Sequence, residues 1–224
     1  MTRAATEPRW AVVLFDFDGT LVDSVALIVA SFRHALGDEV EDAELKAWIG
    51  RPLRLLMEQR RPGAADESMA AYRAFYREHH DALITPIEGV PGLLADLDAA
   101  GVRTGVVSSK RADFIELGLA ALDLVGTVEI LASQDDTARH KPHPDPLLLA
   151  ADRLGVAPTE CVYVGDAVVD LRAGRAAGMS TIGVTWGAGL RSDLVGTRPT
   201  AVVDDIAELR GILLGDRSHA DSRR

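Results

Sequence analysis

The chain has 224 residues, a formal charge of −10 from 34 acidic and 24 basic residues, and one cysteine. This length suits one large domain or a core with a modest insert, and the charge argues against binding a nucleic-acid backbone, which needs a basic surface. The lone Cys161 rules out an internal disulfide and fits a reducing cytoplasm.

Residues 1–9 hold no apolar stretch, so neither a signal peptide nor a membrane span is expected there. A cytoplasmic protein with no membrane or nucleic-acid partner is the expectation. The first apolar run, Trp10 to Phe15, reads as a buried strand. It leads into Asp16-Phe17-Asp18-Gly19-Thr20. Residues i and i+2 of a strand face one side, so Asp16 and Asp18 can point at one spot. Like charges so close disfavour each other unless positive charge lies between them. A divalent metal with an anionic substrate is the usual resolution.

Residues 23–84 read as helices with no strand among them: Ser24 to Leu36, Asp42 to Trp48, Pro52 to Arg60 and Asp66 to Leu83. In the last, Met69, Tyr72, Phe75, Tyr76 and Leu83 recur at roughly helical spacing. Pro86 and Gly89/Pro91 mark a return to other patterning. From there helix and strand alternate. Helices are expected over Val90 to Ala100, Ala112 to Leu122, Pro146 to Leu154, Val168 to Ala177 and Asp205 to Leu214. Strands are expected over Arg103 to Ser108, Val128 to Ala132, Cys161 to Asp166, Ser180 to Thr185 and, at an edge, Ala201 to Asp204. Such alternation predicts an α/β fold: a Rossmann-like parallel sheet with helices on both faces and an inserted all-helical cap. The expected division is an α/β core of residues 1–22 and 85–215, a cap of residues 23–84 and a polar tail of residues 216–224. Ligands of such sheets bind beyond the C-terminal ends of the strands, where Asp16, Ser108 and Asp166 fall.

Four segments resemble the motifs of the haloacid dehalogenase (HAD) superfamily, in its phosphatase branch. Asp16 through Ser24 (DFDGTLVDS) is similar to the first motif and Ser108, after Val106-Val107, to the second. Lys141 in Lys141-Pro142-His143-Pro144 is similar to the third, and Gly165-Asp166 with Asp170 to the fourth. The likeness is greatest to phosphoglycolate phosphatase-like members, which carry a small helical cap after the first motif.

The resemblance implies a Mg2+-dependent phosphohydrolase acting on a small phosphorylated metabolite, phosphoglycolate first and inorganic pyrophosphate as the alternative. It makes Asp16 the nucleophile that forms an aspartyl-phosphate, and Asp18 the general acid and then base. Ser108 and Lys141 hold the phosphoryl group. The implied metal set is Asp16, Asp18 through its backbone carbonyl, Asp166 and Asp170, the last directly or through water; hard oxygen ligands suit Mg2+. Gly19, Thr20, Ser109, Arg51 and Arg54 are the expected substrate-binding residues, since Arg suits a carboxylate or second phosphate. The carboxylate at Asp18 disfavours a haloacid dehalogenase or phosphonoacetaldehyde hydrolase. A β-phosphoglucomutase is a lesser alternative, and a non-enzymatic phospho-receiver domain the least. His79 and His80 stand as further candidates for substrate contact, and no zinc-site spacing is present.

Overall fold

The computed structural model describes residues 8–37 and 40–215; the expected tail at 216–224 and the first seven residues of the expected core lie outside them. The main sheet has six strands: β1 (Val12–Phe15), β4 (Arg103–Val107), β5 (Glu129–Ala132), β6 (Cys161–Gly165), β7 (Ser180–Val184) and β8 (Ala201–Val203). All pair in parallel in the order β5-β4-β1-β6-β7-β8. This is the doubly wound, Rossmann-like order, in which the chain reverses direction across the sheet beside β1.

The central strand β1 is apolar on both faces because both faces are covered. Val13 and Phe15 pack with Leu93 and Leu97 of α5 (Val90–Ala99), Ile115 of α6 (Ala112–Ala121) and Leu209 of α10 (Ile206–Leu214). Val12 and Leu14 point the other way, onto Leu147 and Ala150 of α7 (Asp145–Leu154) and Ala173 of α8 (Val168–Ala176). Leu14 and Phe15 are fully buried, and each contributes about 1.5–3 kcal/mol by transfer from water.

The helices expected over residues 23–84 are α1 (Val25–Leu36), α2 (Asp42–Lys46), α3 (Leu53–Arg60) and α4 (Ala65–Leu83). They bury a cluster of their own, which includes Leu27, Phe32, Trp48, Met57, Met69 and Tyr76. The Phe32 ring meets Trp48 edge-on at 5.5 Å and Tyr72 at 5.0 Å. Phe114 of α6 reaches up from the sheet side to Tyr76, with ring centroids 4.9 Å apart.

The insert is not purely helical at its margins. β2 (Val22–Asp23) pairs antiparallel with β3 (Thr85–Pro86), so the chain leaves the sheet region and returns to it side by side. Two residues carry no periodicity, so no pattern could mark these strands. A sixth helix on the sheet side, α9 (Arg191–Gly196), also lay outside the expectations, being only six residues long. Among the described residues no helix is long and apolar enough to cross a membrane.

Candidate active site

The C-terminal ends of β1, β4 and β6 bring the motif residues together. Asp16 follows β1 directly, and its backbone N–H donates to the Val164 carbonyl at 2.9 Å, prolonging the pairing with β6. Asp166 follows β6, and Asp170 lies in the first turn of α8. Lys141 reaches in from the loop before α7. Its Nζ lies 3.0 Å from Asp16 Oδ1 and 2.6 Å from Asp170 Oδ1, and donates to the Tyr163 hydroxyl at 3.0 Å. That hydroxyl donates to the Val107 carbonyl at 2.7 Å. Lys141 is thus positioned by a strand it does not adjoin in sequence.

Asp170 is fully buried, not the exposed helix-start residue that its place in the chain allows. Its Oδ2 accepts from the Ala167 N–H at 3.0 Å, and its Oδ1 is taken by Lys141. Asp166 Oδ2 accepts from the Ala188 N–H at 2.7 Å, and Oδ1 accepts weakly from the Thr20 hydroxyl at 3.4 Å. Two glycines make room for this carboxylate. A Cβ at Gly19, where φ is +74°, would stand 2.5 Å from Asp166 Oδ2, and one at Gly187 would stand 2.2 Å from it. Gly19 and Thr20 therefore shape the ground around Asp166 and do not line the cavity described below. The Thr20 carbonyl accepts from Trp186 Nε1 at 3.2 Å.

Asp16, Asp166 and Asp170 each offer an oxygen within 4.8 Å of the others. Three buried carboxylates against the single ammonium of Lys141 leave two negative charges in a dry setting. Burial pushes the Asp16 carboxyl up to about 6; Lys141 opposes this, while Asp170 and Asp18 add to it. Asp166 is raised well above the ordinary carboxylate range by burial, then by Asp170 and Asp16. Burial works against the Lys141 charge, but Asp16 and Asp170 outweigh it and hold the ammonium firmly protonated. Asp16 Oδ1 has the Lys141 ammonium beside it at 3.0 Å and no further hydrogen bond among the described residues. A deficit of two positive charges and three clustered carboxylates with hard oxygen donors fit a divalent cation such as Mg2+.

The Asp18 side chain stands apart from that acidic cluster. Its Oδ1 accepts from the Ser24 hydroxyl and from Lys110 Nζ, both at 2.6 Å. Ser24 precedes α1 in the place of an N-cap, yet its hydroxyl caps nothing and goes to Asp18. Lys110 also lies 4.4 Å from the centre of the Tyr76 ring on α4. Burial opposes its charge, but Asp18, with Tyr76 and Tyr72, raises the ammonium above its ordinary value.

Above these groups lies a cavity of about 80 Å3, lined by Asp16, Asp18 and Ser108 below and by Trp48, Arg51 and Tyr76 of the helical insert above. Ser109 also lines it, with a buried hydroxyl that makes no hydrogen bond. Of the two expected arginines, the structure brings only Arg51 to the cavity. Arg54 lies outside, 2.9 Å from Asp66 and 3.5 Å from Glu58, because one residue past the start of a helix turns a side chain by about 100°. His79 stacks on Phe75 at 3.9 Å and His80 is buried against Asp81 at 2.8 Å, so neither lines the cavity.

Lys110, Arg73 and Arg111 line the cavity without having been singled out in the sequence, and Tyr72, named there only for its helical spacing, lines it too. Lys110 had a signal, since it follows Ser108-Ser109 at a strand end. Arg73 and Tyr72 had only the helical spacing that places them beside Tyr76.

Comparisons with known proteins agree with this geometry. Residues 13–184 match the model of the haloacid dehalogenase-like hydrolase family. A pyrophosphatase PpaX from Bacillus pumilus is 36% identical over 208 residues, covering 91% of this chain and 96% of that protein. A solved structure from Bacteroides fragilis, named for the same class of hydrolase, is 29% identical with a TM-score of 0.83, covering 90% of this chain and 100% of that one. The crystal structure of a predicted phosphoglycolate phosphatase from Haemophilus somnus shares the fold at 24% identity and a TM-score of 0.76, over 91% and 97% of the two chains. The order of the strands, the buried Asp16–Lys141–Asp170 contacts and this family match together establish that the chain belongs to the haloacid dehalogenase-like hydrolases and is an enzyme of their phosphatase type.

Proposed function

We propose that the protein is a Mg2+-dependent phosphohydrolase acting through an aspartyl-phosphate on a small phosphate compound that bears a second anionic group. The observation that carries this reading is the buried Asp16–Lys141–Asp170 chain, with Asp166 beside it and Asp18 two residues on, opening into a small cavity with cations in its wall.

Asp16 attacks phosphorus, and the bond from phosphorus to the leaving oxygen breaks. Asp18 gives that oxygen its proton, then takes one from the water that attacks the aspartyl-phosphate. Phosphate leaves and Asp16 is regenerated. Lys141 steadies Asp16 and lies where it can pair with a phosphoryl oxygen. Ser108 and the unpartnered Ser109 hydroxyl supply further donors. Mg2+ would be held by Asp16, Asp166 and the Asp18 carbonyl, and when bound it neutralises charge between carboxylates and phosphate. Asp170, whose Oδ1 pairs with Lys141 at 2.6 Å, positions that lysine against Asp16. In this reading residues 23–84 act as the cap that completes the cavity.

Pyrophosphate takes first place among substrates, ahead of phosphoglycolate, which the sequence motifs put first. The PpaX relative supports this order, and the size of the cavity keeps either substrate small. A cavity of about 80 Å3 is small beside the roughly 300–1,000 Å3 of sites for drug-sized ligands. Phosphoglycolate remains the second reading because a guanidinium such as Arg51 receives a carboxylate as readily as a phosphate.

The test is phosphate release by the purified protein, with Mg2+ and with a chelator, from pyrophosphate, phosphoglycolate, a hexose phosphate and an aryl phosphate. Expected is turnover that vanishes with the chelator, and the highest kcat/KM on pyrophosphate. A preference for the hexose phosphate would replace the substrate reading. No release from any of the four would overturn the reaction itself.

A further inference from the structure

Three arginines meet at one edge of the cavity, around a single carboxylate. Arg73 and Arg77 lie one turn apart on α4 of the insert, and Arg111 stands just before α6 on the sheet side. Asp113 serves two of them: Oδ1 accepts from Arg111 Nε at 3.0 Å and Oδ2 accepts from an Arg77 terminal nitrogen at 2.7 Å. Both carboxylate oxygens are thereby occupied. Arg77 is also spread over the Phe114 ring at 4.6 Å, which fixes it outward from the cavity.

Arg73 and Arg111 differ from Arg77 in lining the cavity with Asp16 and Ser108. Arg111 spends only Nε on Asp113, so its two terminal nitrogens have no hydrogen-bond partner among the described residues. Arg73 has no ion pair or hydrogen bond among them at all, although it is half-buried. Burial, and after it the charge of Arg111, hold the Arg73 guanidinium below its ordinary value. Like charges at i and i+4 on a helix cost stability. The protein has a formal charge of −10, yet among the described residues no carboxylate forms an ion pair with Arg73.

We infer that Arg73 and Arg111 form a subsite for the second anionic group of the substrate, the part of the leaving group that does not react. Arg73 comes from the helical insert and Arg111 from the sheet side, so an anion held by both ties the two regions together over Asp16. The small volume of the cavity puts that subsite within the span of one short molecule. Arg111 presents its terminal nitrogens as a fork, the geometry that suits a phosphate or carboxylate edge. This subsite deepens the phosphohydrolase reading above and rests on it.

The probes are methylenediphosphonate, which has two anionic ends and resists hydrolysis, and methylphosphonate, which has one. Their affinities are measured by calorimetry with Mg2+ for the wild type and for Arg73→Gln, Arg111→Gln and Arg73→Lys. Thermal melts check that each variant is folded. Expected is a fall of roughly 10- to 150-fold in the ratio of diphosphonate to monophosphonate affinity for each Gln variant, as losing a charge-assisted contact predicts. Arg73→Lys should fall between these and the wild type, because it keeps charge and loses the fork. A ratio unchanged in both Gln variants would overturn the subsite while leaving the phosphohydrolase reading intact. A wild type that binds neither phosphonate and releases no phosphate from any substrate would overturn both.

Discussion

On the sheet side of the cavity, Asp16, Lys141, Asp166 and Asp170 are at most 2% exposed and are tied to one another or to the backbone. On the helical side, Arg51 and Arg73 are half-exposed, and among the described residues no hydrogen bond or ion pair holds either side chain. The first arrangement suits groups that must keep one geometry through a reaction. Its electrostatics are costly without a cation, because three carboxylates share one ammonium. The second suits groups that wait for a partner of matching charge. Chemistry is thus assigned to the strand ends, and selectivity to the helical surface together with Arg111 from the loop before α6.

The sharpest way to break this comparison is at Asp16, the proposed nucleophile. Asp16→Asn is expected to lower kcat on every substrate by on the order of 10^4-fold or more, since the covalent step has no other nucleophile. Its circular dichroism should match the wild type. A loss confined to one substrate would mean that Asp16 itself also selects.

Asp18→Asn should cost roughly 10^2- to 10^4-fold, the range for general acid–base catalysis, and unequally. An alkyl phosphate needs its leaving oxygen protonated more than an activated aryl phosphate does. Equal losses in steady-state kinetics would instead assign Asp18, with its Ser24 and Lys110 contacts, to holding the fold.

The helical side is expected to answer differently. Arg51→Ala should lower kcat/KM for pyrophosphate or phosphoglycolate by roughly 10- to 150-fold, and for an aryl phosphate by much less. Arg54→Ala, whose partners are Asp66 and Glu58 on the outer surface, should change either value less than about threefold, as exposed ion pairs contribute little. If Arg54→Ala has the larger effect, the insert closes differently over substrate.

A last effect is expected on stability, without metal, and it leaves turnover aside. Asp16 keeps its proton to about pH 6 in the fold against an ordinary value of 3.8. Folding therefore takes up protons between those values. The resulting contribution is complete below about pH 4 and lost as pH rises through about 6, and it amounts to no more than about 3 kcal/mol. Asp16→Asn removes the decline. In chelator, its melting temperature should match the wild type near pH 4 and exceed it at pH 7 to 8. Added Mg2+ should reverse that order by stabilising the wild type. A difference that does not grow with pH would show that Asp16 is not strained by its neighbours.

The chain by itself determined the reactive set at the strand ends. Apolar runs such as Val12–Phe15 and Cys161–Val164 are legible because a strand buried on both faces must be apolar throughout. The polar residues that stop them, Asp16 and Asp166, then have to sit at the sheet's C-terminal edge. The long helices were legible from the same kind of periodicity, as in Met69, Tyr72 and Tyr76. Only the tertiary structure decided which groups these residues meet. The partners of Lys141 in Tyr163 and Asp170, of Asp18 in Lys110, and of Asp166 in Ala188 are 22 to 92 residues distant along the chain. No local pattern encodes such pairings; they follow from the packing of β1 between β4 and β6. The same holds for Arg51 and Arg54. Three residues apart, they are equivalent in composition, and the turn of α3 carries Arg54 to the outer surface beside Glu58 and the Asp66 of α4.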